Sequence, residues 1–172
     1  MTVETARPSV AVDLIIPGTP VPKGRPRVYK GHGVTPKRTR AAEQRIRDTF
    51  QHEYPDFTPL KDRLIVSCEF WMHSAGRPDA DNCIKLVTDA LNGVAYEDDE
   101  QIELLTARRY LPDRRVYNEH THTWRYRRGT DPHTYYGIPY EPHTRISIYP
   151  IYDDQYGAAE WRLDHRKKRT NP

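Results

Sequence analysis

The sequence predicts an α+β domain, because segments of strand character and segments of helical spacing alternate along the chain, and the two best helical segments lie between strands. The length of 172 residues fits one domain, since domains commonly run about 100–200 residues. Hydrophobic content of 36%, charged content of 30% and a mean hydropathy of -0.91 describe a soluble chain with a small core, and 15 prolines point to long exposed connections.

Residues 1–9 have no periodicity and read as a mobile arm ahead of a single domain over 10–152. Val10 to Ile16 is a β-branched apolar run ending at Pro17, a strand. From Pro17 to Arg27 prolines and glycines are too dense for a helix or central strand, so this segment is a loop, and it carries Lys23, Arg25 and Arg27. Thr35 then offers an N-cap with Pro36 at the first helical position, and Ala41, Ala42, Ile46 and Phe50 form one apolar stripe to about Glu53. Leu64 to Met72 returns to period two, with Leu64, Val66, Cys68 and Phe70 on one face. After a short loop, Ile84, Val87 and Leu91 follow helical spacing between Asn82 and Asn92, with Asn92-Gly93 as the stop. Ile102 to Leu111 and Thr144 to Ile151 are the last strands, the second alternating Ile146 and Ile148 with Arg145, Ser147 and Tyr149. Between them Pro112 to His143, rich in Tyr, His, Arg and Pro and without a period, reads as an extended loop or insertion. Residues 153–172 form a basic tail containing Arg162, Arg166, Lys167, Lys168 and Arg169.

No apolar run approaches the roughly 20 residues that span a bilayer, and the first ten residues lack a secretory signal's apolar stretch, so the cytoplasm is the expected compartment. Cys68 and Cys83 have neither the number nor the spacing of a disulfide scaffold or thiolate zinc site, and read as core residues. The net charge of +3 matters less than its distribution. Cations crowd Pro20 to Arg47, including Lys30, Lys37, Arg38, Arg40 and Arg45, whereas acids crowd Asp79 to Glu103 with Lys85 as the sole cation. A basic surface beside an acidic cluster suits a polyanion that meets a metal.

Asp79-Ala80-Asp81-Asn82 sets two carboxylates one residue apart, so in an extended stretch both face the same side at the mouth of a helix, where they could share a cation. Asp81 is equally well placed as an N-cap, which explains that residue without a metal but leaves Asp79 unexplained. With a helix from Asn82, Lys85 and Asp89 follow Asp81 at steps of four. An ammonium there could touch a scissile phosphate, or form an ordinary surface pair worth under about 1 kcal/mol. Asp89 reads equally as a solvated residue. Beyond Gly93 stand Glu97, Asp98, Asp99 and Glu100; an isolated run of acids is usually a solvated turn, but after a DxDN helix metal ligation gains weight. Mg²⁺ wants oxygen ligands and keeps waters, and it would polarise a phosphoryl oxygen and lower the pKa of an attacking water. Zinc is less attractive, because His120 and His122 share a face only if their loop is a strand and no helical HExxH occurs.

Three segments in order, Pro78-Asp79-Ala80-Asp81-Asn82-Cys83-Ile84-Lys85, Asp89-Ala90-Leu91-Asn92-Gly93 and Asp98-Asp99-Glu100-Gln101-Ile102, resemble the RusA-type Holliday junction resolvases. These are small metal-dependent endodeoxyribonucleases of phage and bacterial origin. The opening from Ile16 to Arg27 is similar too, and the resemblance covers roughly Val10 to Leu111 plus the strand near Arg145 to Ile151. It implies an α+β fold with a small mixed sheet carrying two main helices. It also implies Asp79, Asp81 and Asp99 as catalytic metal ligands, Lys85 as the essential lysine, and Mg²⁺ or Mn²⁺ as cofactor. The implied substrate is a four-way DNA junction in recombination and repair, nicked symmetrically by a homodimer. The long 112–143 segment and the basic tail depart from the shorter family pattern.

Lys23, Arg25 and Arg27 are candidates to clamp DNA phosphates, and the first helix could present Lys37, Arg38, Arg45 and Arg47 to the backbone, although a plain solvated surface accounts for either set. Tyr117, Trp124, Tyr126, Tyr135 and Tyr136 among cations could stack on splayed bases or simply pack locally. A non-catalytic branched-DNA-binding module of the same fold, and a nuclease preferring flaps, are the competing readings.

Overall fold

The computed structural model describes residues 10–25, 27–29 and 32–151, with backbone alone for 27–29 and 32–34. The expected arm over 1–9, the basic tail over 153–172 and the side chain of Arg27 lie outside the described residues. In chain order the elements are β1 (Val12–Pro17), β2 (Arg27–Tyr29), β3 (His32–Val34), α1 (Lys37–Glu53), β4 (Arg63–Trp71), α2 (Ala80–Leu91), β5 (Ile102–Tyr110), β6 (Arg115–Asn118), β7 (Thr123–Tyr126), β8 (Thr134–Tyr135), β9 (Ile138–Pro139) and β10 (His143–Ile151).

The main sheet runs β1-β10-β4-β5. β10 pairs antiparallel with β1 and β4, whereas β4 and β5 are parallel, so the sheet is mixed. Parallel neighbours need a crossover, and α2 is that crossover. The architecture is the expected α+β one: two helices and a small mixed sheet.

Period two decides which face of the sheet is buried. Val12, Leu14 and Ile16 of β1, Leu64, Val66, Cys68 and Phe70 of β4, and Ile146 and Ile148 of β10 are buried. The other face is more polar: Asp13 of β1 holds Arg145 of β10 through two contacts of 2.9 and 2.7 Å. Ala42, Ile46 and Phe50 of α1 and Cys83, Ile84, Leu86, Val87, Ala90 and Leu91 of α2 complete the core. Ala41, expected in the stripe, is exposed, and Thr39 takes its place by lying one turn before Ala42.

Both helix starts differ from expectation. α1 begins at Lys37 with Pro36 as N-cap, because Pro36 keeps an extended ψ of 142° and the residue before a proline is steered away from the helical region. α2 begins at Ala80, two residues early, with Asp79 as its N-cap. Its end is as read: Asn92 is the C-cap and Gly93 takes a φ of +74°, the left-handed region that glycine adopts freely. Arg47 of α1 closes the same end by donating to the carbonyls of Ala90 at 2.9 Å and Asp89 at 3.5 Å.

The 112–143 segment is more ordered than a loop. It contains the hairpins β6–β7 and β8–β9, whose strands of four and two residues are too short to show periodicity. Trp71 and Tyr110, at the ends of β4 and β5, stack at 4.1 Å, and Tyr135 and Tyr140 pack edgewise on Trp71. Among the described residues no helix is long and apolar enough to cross a membrane.

Candidate active site

β4 ends at Trp71, and the chain passes through an exposed loop to Asp79. Arg109 of β5 anchors that loop by donating to the Gly76 carbonyl. Asp79 then takes extended backbone dihedrals, φ -75° and ψ 153°, at the head of α2, and its carbonyl accepts the first helical bond from Cys83 at 3.2 Å. Its carboxylate does not cap the helix. Asp81 lies in the first turn and is exposed. Asp81 therefore does not cap the helix: the capping position belongs to Asp79, and Asp79 makes no side-chain cap bond. Among the described residues neither carboxylate has a hydrogen-bond or ion-pair partner. Both stand where the helix dipole favours negative charge.

Cys83 lies buried beneath this pair. Burial pushes its thiol up to about 11; Arg109 pulls the other way, and the Asp81 and Asp79 carboxylates add to the rise. Cys68 is pushed up to about 12, foremost by burial. Both cysteines are protonated core residues, as their number and spacing suggested.

Lys85 is exposed one turn beyond Asp81, and its ammonium lies 3.9 Å from Asp89 Oδ1. Asp89 is no solvated helix residue: it is half-buried and sits 2.7 Å from Lys23 Nζ. Lys23 also pairs with Glu43 of α1, and its backbone N–H donates to the Asn82 carbonyl at 2.8 Å. The proline-rich loop is thus fastened to the helix that carries Asp81 and Lys85. Gly24 is required in this loop because a Cβ there would meet Thr39 Oγ1 at 2.7 Å.

Asp99 opens a short 3-10 turn, Asp99–Gln101. The turn is held by a capping box, in which the Asp98 carboxylate accepts from Glu100 N at 3.0 Å and Gln101 Oε1 accepts from Asp98 N at 2.8 Å. Gln101 is buried and donates to the carbonyls of Leu60 and Asp62 at 2.9 and 2.8 Å. This frame leaves the Asp99 side chain exposed. Desolvation raises the Asp99 pKa first, the Asp98 hydrogen bond and the charges of Asp98 and Asp89 raise it further, and Lys85 opposes them.

Asp79 and Asp81 thus stand together at the head of α2, whereas Asp99 belongs to the turn after that helix, where it feels the charges of Asp98, Asp89 and Lys85. Among the described residues no three His, Cys, Asp or Glu side chains are gathered as a ready-made metal cage. Of the expected phosphate cations, Arg25, Lys37 and Arg38 are exposed, whereas Lys23 and Arg47 are engaged within the fold. Sequence reading missed the Asp98 and Gln101 frame, although acid and glutamine three residues apart are a capping-box signal. The Lys23–Glu43–Asp89 tie had no local signal at all, since its members come from three separate segments.

A family model described as Endodeoxyribonuclease RusA matches residues 17–123. The chain belongs to the RusA endodeoxyribonuclease family. The matched span contains all four candidate catalytic residues, the proline-rich loop, both helices, β4 and β5. It stops at Thr123, the first residue of β7, so Trp124, the β8–β9 hairpin and β10 extend beyond the part that this RusA chain shares with the family model. A search of curated proteins gives no match.

Proposed function

We propose that this RusA-family chain is a metal-dependent endodeoxyribonuclease that hydrolyses phosphodiester bonds in Holliday junctions or related branched DNA, in recombination and repair. The observation that carries the reading is that Asp79 heads α2 without capping it, with Asp81 free in the first turn and Lys85 exposed one turn on. Carboxylates in that position are left for a ligand.

The donor chemistry fits a hard divalent cation. Mg²⁺ takes oxygen ligands and is commonly held by one or two carboxylates plus waters and substrate phosphates, so it does not demand a closed protein cage. Asp79 and Asp81 would hold it, and Asp99, which is not gathered with them in the structure, would be a further oxygen donor once the ion is bound. Acid crowding around Asp99 favours a cation as well. When bound, Mg²⁺ or Mn²⁺ supplies Lewis-acid polarisation of the phosphoryl group and a water of lowered pKa.

The chain's own residues do the rest. Lys85 sets a point charge where it can bind a nonbridging oxygen of the scissile phosphate and stabilise its developing charge. Asp89 restrains that ammonium from the next turn. Arg25, Lys37 and Arg38 bind neighbouring phosphates and orient the strand, a sequence-independent contribution that salt weakens.

Two strands of a junction are nicked when two copies act together. β5 supports a homodimer: it is a sheet edge, and Leu104 and Leu105, on opposite faces, are 49% and 45% exposed. The substrate reading is tested by offering the purified chain a synthetic four-way junction, a flap and a linear duplex with Mg²⁺. Junction cleavage well above duplex cleavage is expected; salt-sensitive binding without cleavage of any substrate would mark a non-catalytic module instead.

A further inference from the structure

A groove of about 860 Å³ lies among the hairpins of the 112–143 insertion, and Tyr117, Trp124 and Tyr136 border it. In the β6–β7 register Arg115 faces Tyr126 and Tyr117 faces Trp124. Direct cross-strand partners, and residues two apart, share one side of a hairpin, so Arg115, Tyr117, Trp124 and Tyr126 make up a single face. Tyr117 and Trp124 meet edgewise at 5.5 Å, and the Arg115 guanidinium lies 5.3 Å from the Tyr126 ring centre.

This face is not used for packing. Trp124 is 64% exposed, Tyr126 71% and Tyr136 83%. The same insertion half-buries other aromatics, for Tyr135 and Tyr140 pack on Trp71. The hairpin is also held firmly. On its opposite side Arg125 makes two 2.7 Å contacts with Asp131, and ahead of β6 the Asp113 carboxylate accepts from Tyr136 N at 3.0 Å and Gly137 N at 2.9 Å in the turn between β8 and β9. Those bonds occupy two of the insertion's acids, while Arg114, Arg115 and Arg128 remain exposed.

The geometry points to a stacking platform: the Tyr117–Trp124–Tyr126 face takes unpaired bases of a single DNA strand, with the flanking arginines on its phosphates. Charge complementarity selects a polyanion, and flat rings beside cations select one whose bases are unstacked, since a duplex hides its base faces. The position fits as well. The insertion leaves the end of β5 next to the end of β4, from which the chain passes to Asp79, and His133 of the insertion meets His73 of that loop at 2.9 Å. The inference rests on the branched-DNA reading and specifies which part of the substrate this face would hold.

The test uses the full chain, a fluorescein-labelled oligo(dT) strand and a duplex of equal length, with binding followed by anisotropy without metal. Trp124→Ala with Tyr126→Ala should weaken oligo(dT) binding by about tenfold or more while duplex binding changes by less than about twofold, and Trp124→Phe should retain most of the affinity. Trp124→Ala alone, at a largely exposed position, carries the same readout if the double variant unfolds. Unchanged oligo(dT) binding, no oligo(dT) binding by the wild type, equal loss on duplex, or conversion of a wild-type dimer to monomer by these changes would each overturn the platform. Junction cleavage is scored separately: oligo(dT) binding through Trp124 without cleavage would refute the resolvase reading and leave the platform standing.

Discussion

Lys23 Nζ lies 2.7 Å from Asp89 Oδ2 and also pairs with Glu43, so one ammonium joins the proline-rich loop to both helices. All three side chains are mostly buried, and burial pulls the Lys23 pKa down while Asp89 and Glu43 outweigh it and raise it overall. Lys23→Met leaves two acids facing each other without their cation. It should lower stability by about 1–3 kcal/mol, as removal of one partner from a mostly buried pair does. Thermal unfolding measures this, and an unchanged midpoint would show the tie to be dispensable. Because Asp89 also faces Lys85, the variant should slow junction cleavage as well.

Asp13 and Arg145 give a pH dependence. Hydrogen bonds from Arg145 chiefly hold the Asp13 carboxyl below the usual aspartate range. A depressed folded-state pKa contributes stability that is fully present above the unfolded value, about 3.9, and is lost as pH falls through the folded one. The pair is substantially exposed, with side chains 40% and 47% accessible, so solvent screening keeps the effect under about 1 kcal/mol. Asp13→Asn should therefore lower the unfolding midpoint slightly at neutral pH, and the difference from wild type should shrink as pH falls below the unfolded value of about 3.9 and vanish once it has passed through the lowered folded one.

The β5 edge predicts its own variant. Leu105→Glu places a charge at the free outer edge of β5, and should shift a dimer toward monomer by about tenfold or more in dissociation constant. Sedimentation at several concentrations reads the mass directly. Identical masses for wild type and variant would assign the interface elsewhere.

Much of the fold is legible in the sequence alone. The sheet faces followed from period two in Leu64 to Phe70 and Ile146 to Ile148, and the α2 stop from Asn92-Gly93, because these signals are local. Starts of helices were less legible, since Pro36 and Asp79 each accept the first helical bond without a side-chain cap. The carboxylates and Lys85 were readable from spacing. What spacing could not show is that Asp81 is free of capping, that Asp98 and Gln101 frame Asp99, and that Lys23 is spent on Asp89 instead of facing solvent. Each depends on which segment packs beside which. The hairpins of 112–143 were hidden for another reason: two- to four-residue strands with an exposed aromatic face resemble a loop in composition.

The central claim, that the carboxylates at the head of α2 serve phosphodiester hydrolysis, is tested most directly by Asp81→Asn on a synthetic four-way junction with Mg²⁺. The substitution keeps size and leaves the fold intact, since Asp81 is exposed and makes no cap bond. Cleavage should fall by on the order of a hundredfold or more, while junction binding in the absence of metal stays near the wild-type affinity. Cleavage by Asp81→Asn at the wild-type rate would contradict the account.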